Sequence, residues 1–83
     1  MKLNNISELY WYAIYVKSRH EFHVFERLSS ANIDAFLPTM ERLSKWKDRK
    51  KMVSFPLFPG YLFVHINKSY NNILTVLKTN GVV

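Results

Sequence analysis

The sequence predicts an α+β domain, an antiparallel sheet of about four strands with helices packed on it, in the order β-α-β-β-β-α-β. Short segments of strand-like character are separated by two segments with helical periodicity. A polar, basic stretch lies between two strand-like segments in the middle of the chain. The 83 residues suffice for one small domain, and a hydrophobic content of 48% suffices for its core.

The first half of the chain predicts a strand, a helix and a second strand. Residues 11–16 combine aromatic and β-branched side chains without a breaker, which is typical of a central strand. Ser18 and Glu21 have the spacing of a capping box, so we expect a helix to begin there and to end near Asn32. The apolar stripe of this helix comprises Val24, Phe25, Leu28 and Ala31. A second strand is predicted over residues 34–40.

A projecting hairpin and a proline-bracketed turn are predicted next. Residues 42–51 are too polar for a core element and lead into the strand-like residues 52–55. Pro56 and Pro59 have no amide hydrogen to donate, so they favour a turn before the next strand. That strand is predicted over residues 61–66.

A second helix follows, with a signal at each end. Ser69 is placed to cap its N-terminus and Gly81 to terminate it. Its predicted apolar stripe comprises Tyr70, Ile73, Leu74 and Leu77. Residues 82–83 begin another strand. We expect residues 1–10 to be an N-terminal extension and residues 11–83 to be the domain.

Side-chain alternation divides the strand residues between the two faces of the sheet. One face is predicted to carry Ile14, Val16, Leu62, Val64 and Ile66. The opposite face is predicted to carry Ala13, Tyr15, Tyr61, Phe63 and His65. If the aliphatic face packs against the helices, an aromatic patch is left partly exposed. Such a patch is a candidate binding site.

Two other interpretations of the aromatic patch stay open. Its residues could be core residues beneath a hairpin that folds over the sheet. Residues 60–66 also fit much of the RNA-recognition-motif pattern, so a free-standing module that stacks single-stranded RNA is an alternative function. Pro59, Leu62 and Ile66 depart from that pattern.

Positive charge is concentrated in the predicted hairpin. The net charge is +6, from twelve Lys and Arg against six Asp and Glu, which favours an anionic partner. The hairpin's basic residues are Arg42, Lys45, Lys47, Arg49, Lys50 and Lys51, with Asp48 as the single acid among them. Trp46 adds a flat surface for a base, a combination typical of nucleic-acid contact. A solvated loop is the alternative. A membrane contact ranks last because no broad apolar helix face is present.

Positive charge also occurs at the start of the first predicted helix. Lys17, Arg19 and His20 lie there, where free backbone amides favour phosphate. His20 and His23 are three residues apart rather than at the i, i+4 spacing of a zinc site, so we interpret them as solvated and expect no metal.

Enzymatic function finds little support, because few acids are available to form a catalytic pair. We expect no catalysis and no cofactor, with a small nuclease as a distant alternative. The sequence has no cysteine and no apolar run long enough to cross a bilayer. These features favour a cytoplasmic protein with no membrane partner.

Taken together, the motifs resemble the N-terminal (NGN) domain of NusG proteins. Trp11 and Tyr12 open the first strand, Pro38 closes the second, and the basic hairpin is followed by Phe-Pro-Gly-Tyr at residues 58–61. The resemblance covers about residues 11–83.

A more specific resemblance is to specialised paralogues of the RfaH, UpxY and LoaP type. It rests on the form Pro-Leu-Phe-Pro-x-Tyr-Leu-Phe-Val at residues 56–64 and on Lys17 directly after the first strand. The RfaH-like members carry His-Thr-Thr at the start of the second helix, for a second contact across the polymerase cleft. The corresponding residues here are Asn72, Ile73 and Leu74.

The resemblance implies a transcription elongation or antitermination factor. Its domain would bind the β′ clamp helices of RNA polymerase and catalyse nothing itself. By motif, the polymerase-binding residues would be Tyr61, Phe63, Tyr15 and the turn residue Phe58. Contacts with non-template DNA would come from Lys17, Arg19, His20 and Arg27, and the hairpin would face upstream duplex. The family normally continues into a KOW domain that recruits ribosome or Rho, so we expect the chain to be a fragment.

Overall fold

The computed structural model describes residues 8–46 and 49–83, except for the side chain of Trp46. The elements, in chain order, are β1 (Tyr10–Tyr15), α1 (Glu21–Ser30), β2 (Asp34–Phe36), β3 (Thr39–Trp46), β4 (Arg49–Pro56), β5 (Tyr61–Ile66) and α2 (Tyr70–Lys78). The predicted α+β class with antiparallel strands is therefore confirmed. The strands form two sheets rather than one.

The main sheet has three antiparallel strands in the order β1-β5-β2. β5 is its middle strand. At the C-terminal end of β1, the Lys17 amide donates to the Gly81 carbonyl (2.8 Å) and the Val83 amide donates to the Tyr15 carbonyl (2.9 Å). Val16 and Val82 form a β-bridge. The predicted central position of the first strand is therefore wrong for the three-stranded sheet, where β1 lies at one end and only its last residues are bridged by residues 82–83.

The second sheet is the predicted hairpin, in which β3 and β4 pair from Thr39 opposite Pro56 to Trp46 opposite Arg49. The prediction of one continuous strand over residues 34–40 was wrong. That segment leaves the main sheet after Phe36 and enters the hairpin at Thr39. Pro38 explains the break, because it has no amide hydrogen for a ladder and restricts the residue before it. The molecule extends 67 × 20 × 18 Å, consistent with a projecting hairpin.

The core lies between one face of the main sheet and the helices. Its fully buried side chains are Val24 and Leu28 of α1 and Leu62 and Val64 of β5. Burying an aliphatic side chain of this size contributes about 1.5–3 kcal/mol. Val16, Ile33, Ile66 and Val76 complete the buried set. The aliphatic face predicted by alternation is thus the face that packs against the helices.

The predicted capping box at the start of α1 does not form. The helix begins at Glu21, His20 occupies the N-cap position, and no side chain caps it. Residues Ser18 and Arg19 instead form a turn in which Arg19 has a positive φ of 65°. The Glu21 carboxylate accepts a hydrogen bond from the Gly60 amide, 39 residues away. A long-range partner therefore replaces the local one.

The predicted cap of α2 is confirmed, but its predicted apolar stripe is wrong in part. The Ser69 hydroxyl accepts a hydrogen bond from the Asn72 amide at 3.2 Å. The residue of α2 that enters the core is Val76, whereas Tyr70 and Leu77 are 74% and 60% exposed. An apolar gap of about 200 Å³ remains between α2 and the sheet, bordered by Ile73, Val76 and Leu77. The helix is turned about its axis relative to the predicted stripe.

Candidate functional site

The uncovered face of the main sheet carries mostly aromatic side chains. Leu62, Val64 and Ile66 of β5 point into the core, so the alternate residues of this strand point away from the helices. Cross-strand pairing brings residues of β1 and β2 beside them. We call this surface the aromatic face, and its members are Trp11, Ala13, Tyr15, Asp34, Phe36, Tyr61, Phe63 and His65.

Tyr15 and Tyr61 form one end of the aromatic face. They are directly opposed in the β1–β5 ladder, and their ring centroids are 4.8 Å apart. Both are exposed, Tyr15 at 61% and Tyr61 at 36%. Side-chain hydrogen bonding with Tyr15, followed by its charge and by partial desolvation, raises the pKa of Tyr61. A raised pKa favours the neutral form of Tyr61, whose hydroxyl can then donate a hydrogen bond. Sequence alternation had predicted that both lie on this face, but not that they are directly opposed.

A hollow of about 560 Å³ lies beside this pair, where the turn after β4 approaches the sheet. Its lining residues are Trp11, Phe36, Pro38, Leu57, Phe58 and Phe63. Phe58 meets Phe63 edge to face, with centroids 6.2 Å apart and planes at 82°. Trp11 and Phe36 are each 55% exposed, and Phe58 is 50% exposed. Large apolar side chains at such exposure form an apolar recess that faces solvent.

Three residues that line this hollow were not predicted from the sequence: Trp11, Phe36 and Leu57. Trp11 could have been found, because it shares the alternation parity of Tyr15 in the same strand. Phe36 lies opposite Phe63 only through the β2–β5 pairing, which the sequence alone does not fix. Leu57 belongs to the turn, where no alternation rule applies.

His65 forms the other end of the aromatic face. Its ring stacks on Trp11, with centroids 4.5 Å apart and planes within 7°. Its Nδ1 lies 3.4 Å from a carboxylate oxygen of Asp34. Trp11 is thus fixed by a neighbour on one side of its ring. His65 had no predicted role, whereas in the structure its ring supports an exposed tryptophan.

The turn over residues 57–60 is held to the sheet by several hydrogen bonds. The Leu57 amide donates to the Pro38 carbonyl (2.8 Å), and the Val16 amide donates to the Gly60 carbonyl (2.9 Å). The Gly60 amide donates to Glu21 Oε2 at 2.9 Å. Gly60 has a φ of 85°, a conformation that glycine adopts without strain. These bonds place Phe58 over the hollow and Tyr61 at the start of β5.

Lys17, Arg19 and His20 form a cationic corner between β1 and α1. All three are exposed. The His20 amide donates to the Lys17 carbonyl (3.0 Å), which closes the turn. The His20 and His23 rings are tilted with centroids 6.4 Å apart. Arg27 was predicted to join this group, but its guanidinium donates to the Asn80 carbonyl at 2.9 Å and so ties α1 to the C-terminal turn.

The basic residues of the hairpin lie on both faces of the ribbon. Lys45 is directly opposite Lys50, so these two share one face. Arg42, Arg49 and Lys51 lie on the other face by the same register. All five are exposed. Arg42 also lies over the Phe55 ring, 5.6 Å from its centroid. Trp46 and Lys47 were also predicted to contact nucleic acid, but the side chain of Trp46 and the whole of Lys47 lie outside the described residues.

Within residues 8–46 and 49–83, no group of three or more His, Asp or Glu side chains is arranged to hold a metal ion. None of the helices in that part of the chain is long and apolar enough to span a membrane.

Comparison with known protein families gives a match over most of the chain. The family described as "NusG: Transcription termination factor nusG" matches residues 9–83. The match includes β1, both helices, the hairpin, the 57–60 turn and the bridge at Val82. It thus contains every surface described above. The chain belongs to the NusG family of transcription factors.

Proposed function

We propose that this domain binds the β′ clamp helices of RNA polymerase through the aromatic face, contacts DNA of the elongation complex, and acts in elongation or antitermination. The observation that supports it best is the apolar hollow beside Phe58 and Phe63, which adjoins the exposed Tyr15–Tyr61 pair. The NusG family is a family of transcription factors, which makes polymerase the natural protein partner.

The chemistry of the aromatic face suits a protein helix. Aromatic residues are enriched at the energetic centres of protein interfaces, and an amphipathic helix binds by placing apolar side chains in a hydrophobic groove. The hollow offers such a groove. The tyrosine hydroxyls beside it can hydrogen bond to polar groups on the same helix.

The alternative of RNA stacking is less well supported by the same geometry. A stacking platform needs open ring faces and cations for the phosphates. One face of Trp11 is covered by His65, and Phe63 carries the edge of Phe58. The charged residue among the members of the aromatic face is an acid, Asp34. These features favour an apolar protein partner.

DNA contacts are proposed for the cationic corner and the hairpin. The corner would meet the non-template strand, with Arg27 contributing only if it leaves the Asn80 carbonyl. The hairpin would meet upstream duplex. Each strand has eight residues, so the ribbon reaches about 26 Å, and a two-stranded ribbon fits the major groove. Its exposed Lys and Arg residues would neutralise phosphates.

We further propose that the factor is a specialised paralogue of the RfaH, UpxY and LoaP type. This rests on the sequence form of residues 56–64 and on Lys17. Asn72 is engaged at the start of α2, where its side chain donates to Asn67 Oδ1 at 2.7 Å. A second cleft contact from this helix start would therefore have to use Ile73, which is 38% exposed. A connection to ribosome or Rho would come through a KOW domain outside this sequence.

Binding to an isolated β′ clamp-helix coiled coil tests the proposal. The double variant Tyr61→Ala, Phe63→Ala should lose at least tenfold in affinity, because it truncates two rings of the contact surface. Tyr70→Ala is the matched control, since Tyr70 is 74% exposed on α2 and is not part of the aromatic face. Undiminished binding by the double variant would remove the proposed site. Binding to single-stranded RNA that depends on the same two rings would favour the alternative.

A further inference from the structure

Glu21 is the one charged side chain that is buried within the described residues 8–46 and 49–83, at 4% exposure. It is the first residue of α1, and its carboxylate does not cap that helix. Oε2 instead accepts a hydrogen bond from the Gly60 amide at 2.9 Å. Burying a carboxylate is costly unless it is hydrogen-bonded. A buried carboxylate in this position calls for an explanation.

The site of Glu21 tolerates a carboxylate for two reasons. The first turn of a helix has free amide groups, and its partial positive charge stabilises an anion. The bond to Gly60 is charge-assisted, which makes it stronger than a bond between neutral groups. Glutamine would keep an acceptor oxygen but lose the charge. Alanine would lose both.

Glu21 is also distinctive among the groups that hold the 57–60 turn. Within the described residues, the other hydrogen bonds of the turn join backbone groups, including Leu57 to Pro38 and Val16 to Gly60. In the described part of the chain, Glu21 is the one side chain that forms a hydrogen bond with this turn, as an acceptor from the Gly60 amide. Gly60 has a positive φ of 85°, and as a glycine it has a wider range of backbone conformations than the other residues of the turn. The carboxylate therefore restrains the most adaptable residue of the turn.

The restrained residue stands between two aromatic contacts. Phe58, two residues before Gly60, packs its ring against Phe63 at the hollow. Tyr61, the next residue, places its ring against Tyr15. A shift at Gly60 would move both rings relative to the sheet. Restraining a contact loop in its bound conformation increases affinity by lowering the entropy lost on binding.

From these contacts we infer that Glu21 is a positioning residue for polymerase binding, which acts by holding Gly60 so that Phe58 and Tyr61 are preorganised. This inference rests on the proposed function. Glu21 itself is buried and does not reach the partner, so its effect is transmitted through one backbone hydrogen bond.

The test compares Glu21→Ala and Glu21→Gln with Val24→Ala, at a temperature where circular dichroism shows each variant folded. Val24 is fully buried in the same helix, so its truncation also destabilises the fold but leaves the turn's hydrogen bonds intact. Glu21→Ala should bind the clamp-helix coiled coil about tenfold more weakly, as expected for a lost hydrogen bond to a charged group. Glu21→Gln should lose about threefold or less, and folded Val24→Ala should bind like the wild type.

Amide hydrogen exchange at Gly60 is the second readout, and a general loss of stability would not change it selectively. The Gly60 amide should be protected in the wild type, exchange faster in Glu21→Gln, and change less in Val24→Ala than neighbouring core amides. An unprotected Gly60 amide in the wild type would overturn the inference even if Glu21→Ala does not fold. So would a Gln variant with a freely exchanging Gly60 and full affinity.

The two proposals fail in different ways. If the wild type does not bind the clamp helices, the proposed function fails. If the wild type binds and a folded Glu21→Ala variant binds equally well, only the role of Glu21 fails.

Discussion

Gly81 packs so closely against Val24 that a Cβ added at position 81 would lie 2.5 Å from Val24 Cγ2. Gly81 is also at a φ of 102°, and its carbonyl accepts the Lys17 amide. This contact joins the C-terminal turn to α1 and to the end of β1. It therefore holds the cationic corner to the core.

The Gly81→Ala variant should lose about 3 kcal/mol of unfolding free energy. A left-handed conformation costs alanine about 1–2 kcal/mol, and overpacking adds about 1–3 kcal/mol. Gly60→Ala is the matched control, because its φ is 85° but its nearest neighbour would be 3.8 Å away. It should lose only about 1–2 kcal/mol. Urea denaturation measures both, and equal losses would contradict the tight packing at Gly81.

Ser69→Ala should lower the unfolding free energy by about 1 kcal/mol, because the Ser69 hydroxyl caps α2. Ser18→Ala should change it by less than about 0.5 kcal/mol, because Ser18 does not cap α1. The two variants make the same chemical change at the two serines predicted to be caps. A loss from Ser18→Ala as large as that from Ser69→Ala would show that Ser18 does cap α1, contrary to this account.

Tyr15→Phe should lower the pKa of Tyr61. The Tyr15 hydroxyl raises that pKa by hydrogen bonding and by its own charge, so Tyr61 should ionise at higher pH in the wild type than in the variant. The sign follows because both effects favour the neutral phenol. Ring carbon chemical shifts, followed by NMR through an alkaline titration, resolve the individual tyrosines. Tyr70→Phe is the control and should leave the pKa of Tyr61 unchanged.

Removing the Lys45 and Lys50 charges together should reduce the salt dependence of duplex DNA binding. Each lost phosphate contact reduces the magnitude of the negative slope of log K against log salt by about 0.9. The slope of the double alanine variant should therefore be smaller in magnitude by about 1.8. Lys78→Ala is the control, since Lys78 lies in the last turn of α2. Fluorescence anisotropy at several salt concentrations gives the slopes. An unchanged slope in the double variant would mean that this face of the hairpin does not contact DNA.

Most of the fold that could be predicted came from the alternation of side chains along the strands. Alternation in β5 separated the core residues Leu62 and Val64 from Tyr61 and Phe63, because a half-buried strand leaves that pattern in its sequence. The hairpin was also predicted, since its polar residues could not enter a core. These features depend on local sequence alone.

The errors arose where a distant residue decides the local structure. Glu21 was assigned to its own helix terminus, but Gly60, which comes near only in the folded chain, binds its carboxylate. The stripe of α2 was misplaced because the helix has apolar residues on more than one side, and packing against the sheet selects Val76. The side of α2 that packs against the sheet could therefore not be predicted from the pattern of its apolar residues.

The candidate site was predicted in part for the same reason. Tyr15, Tyr61, Phe58 and Phe63 were named from alternation and motif. The hollow that Phe58 and Phe63 border could not be predicted, because it also requires Phe36 from β2 and Leu57 from the turn. Its lining is assembled by the order of strands in the sheet, which depends on long-range pairing.

An NMR titration of the isotope-labelled domain with the unlabelled β′ clamp-helix coiled coil tests most directly whether the aromatic face binds polymerase. The largest shifts are predicted at Trp11, Phe36, Phe58, Tyr61 and Phe63, with residues 42–45 of the hairpin and Tyr70 of α2 nearly unchanged. Shifts concentrated on the hairpin or on α2, with the aromatic face unaffected, would contradict the proposed function.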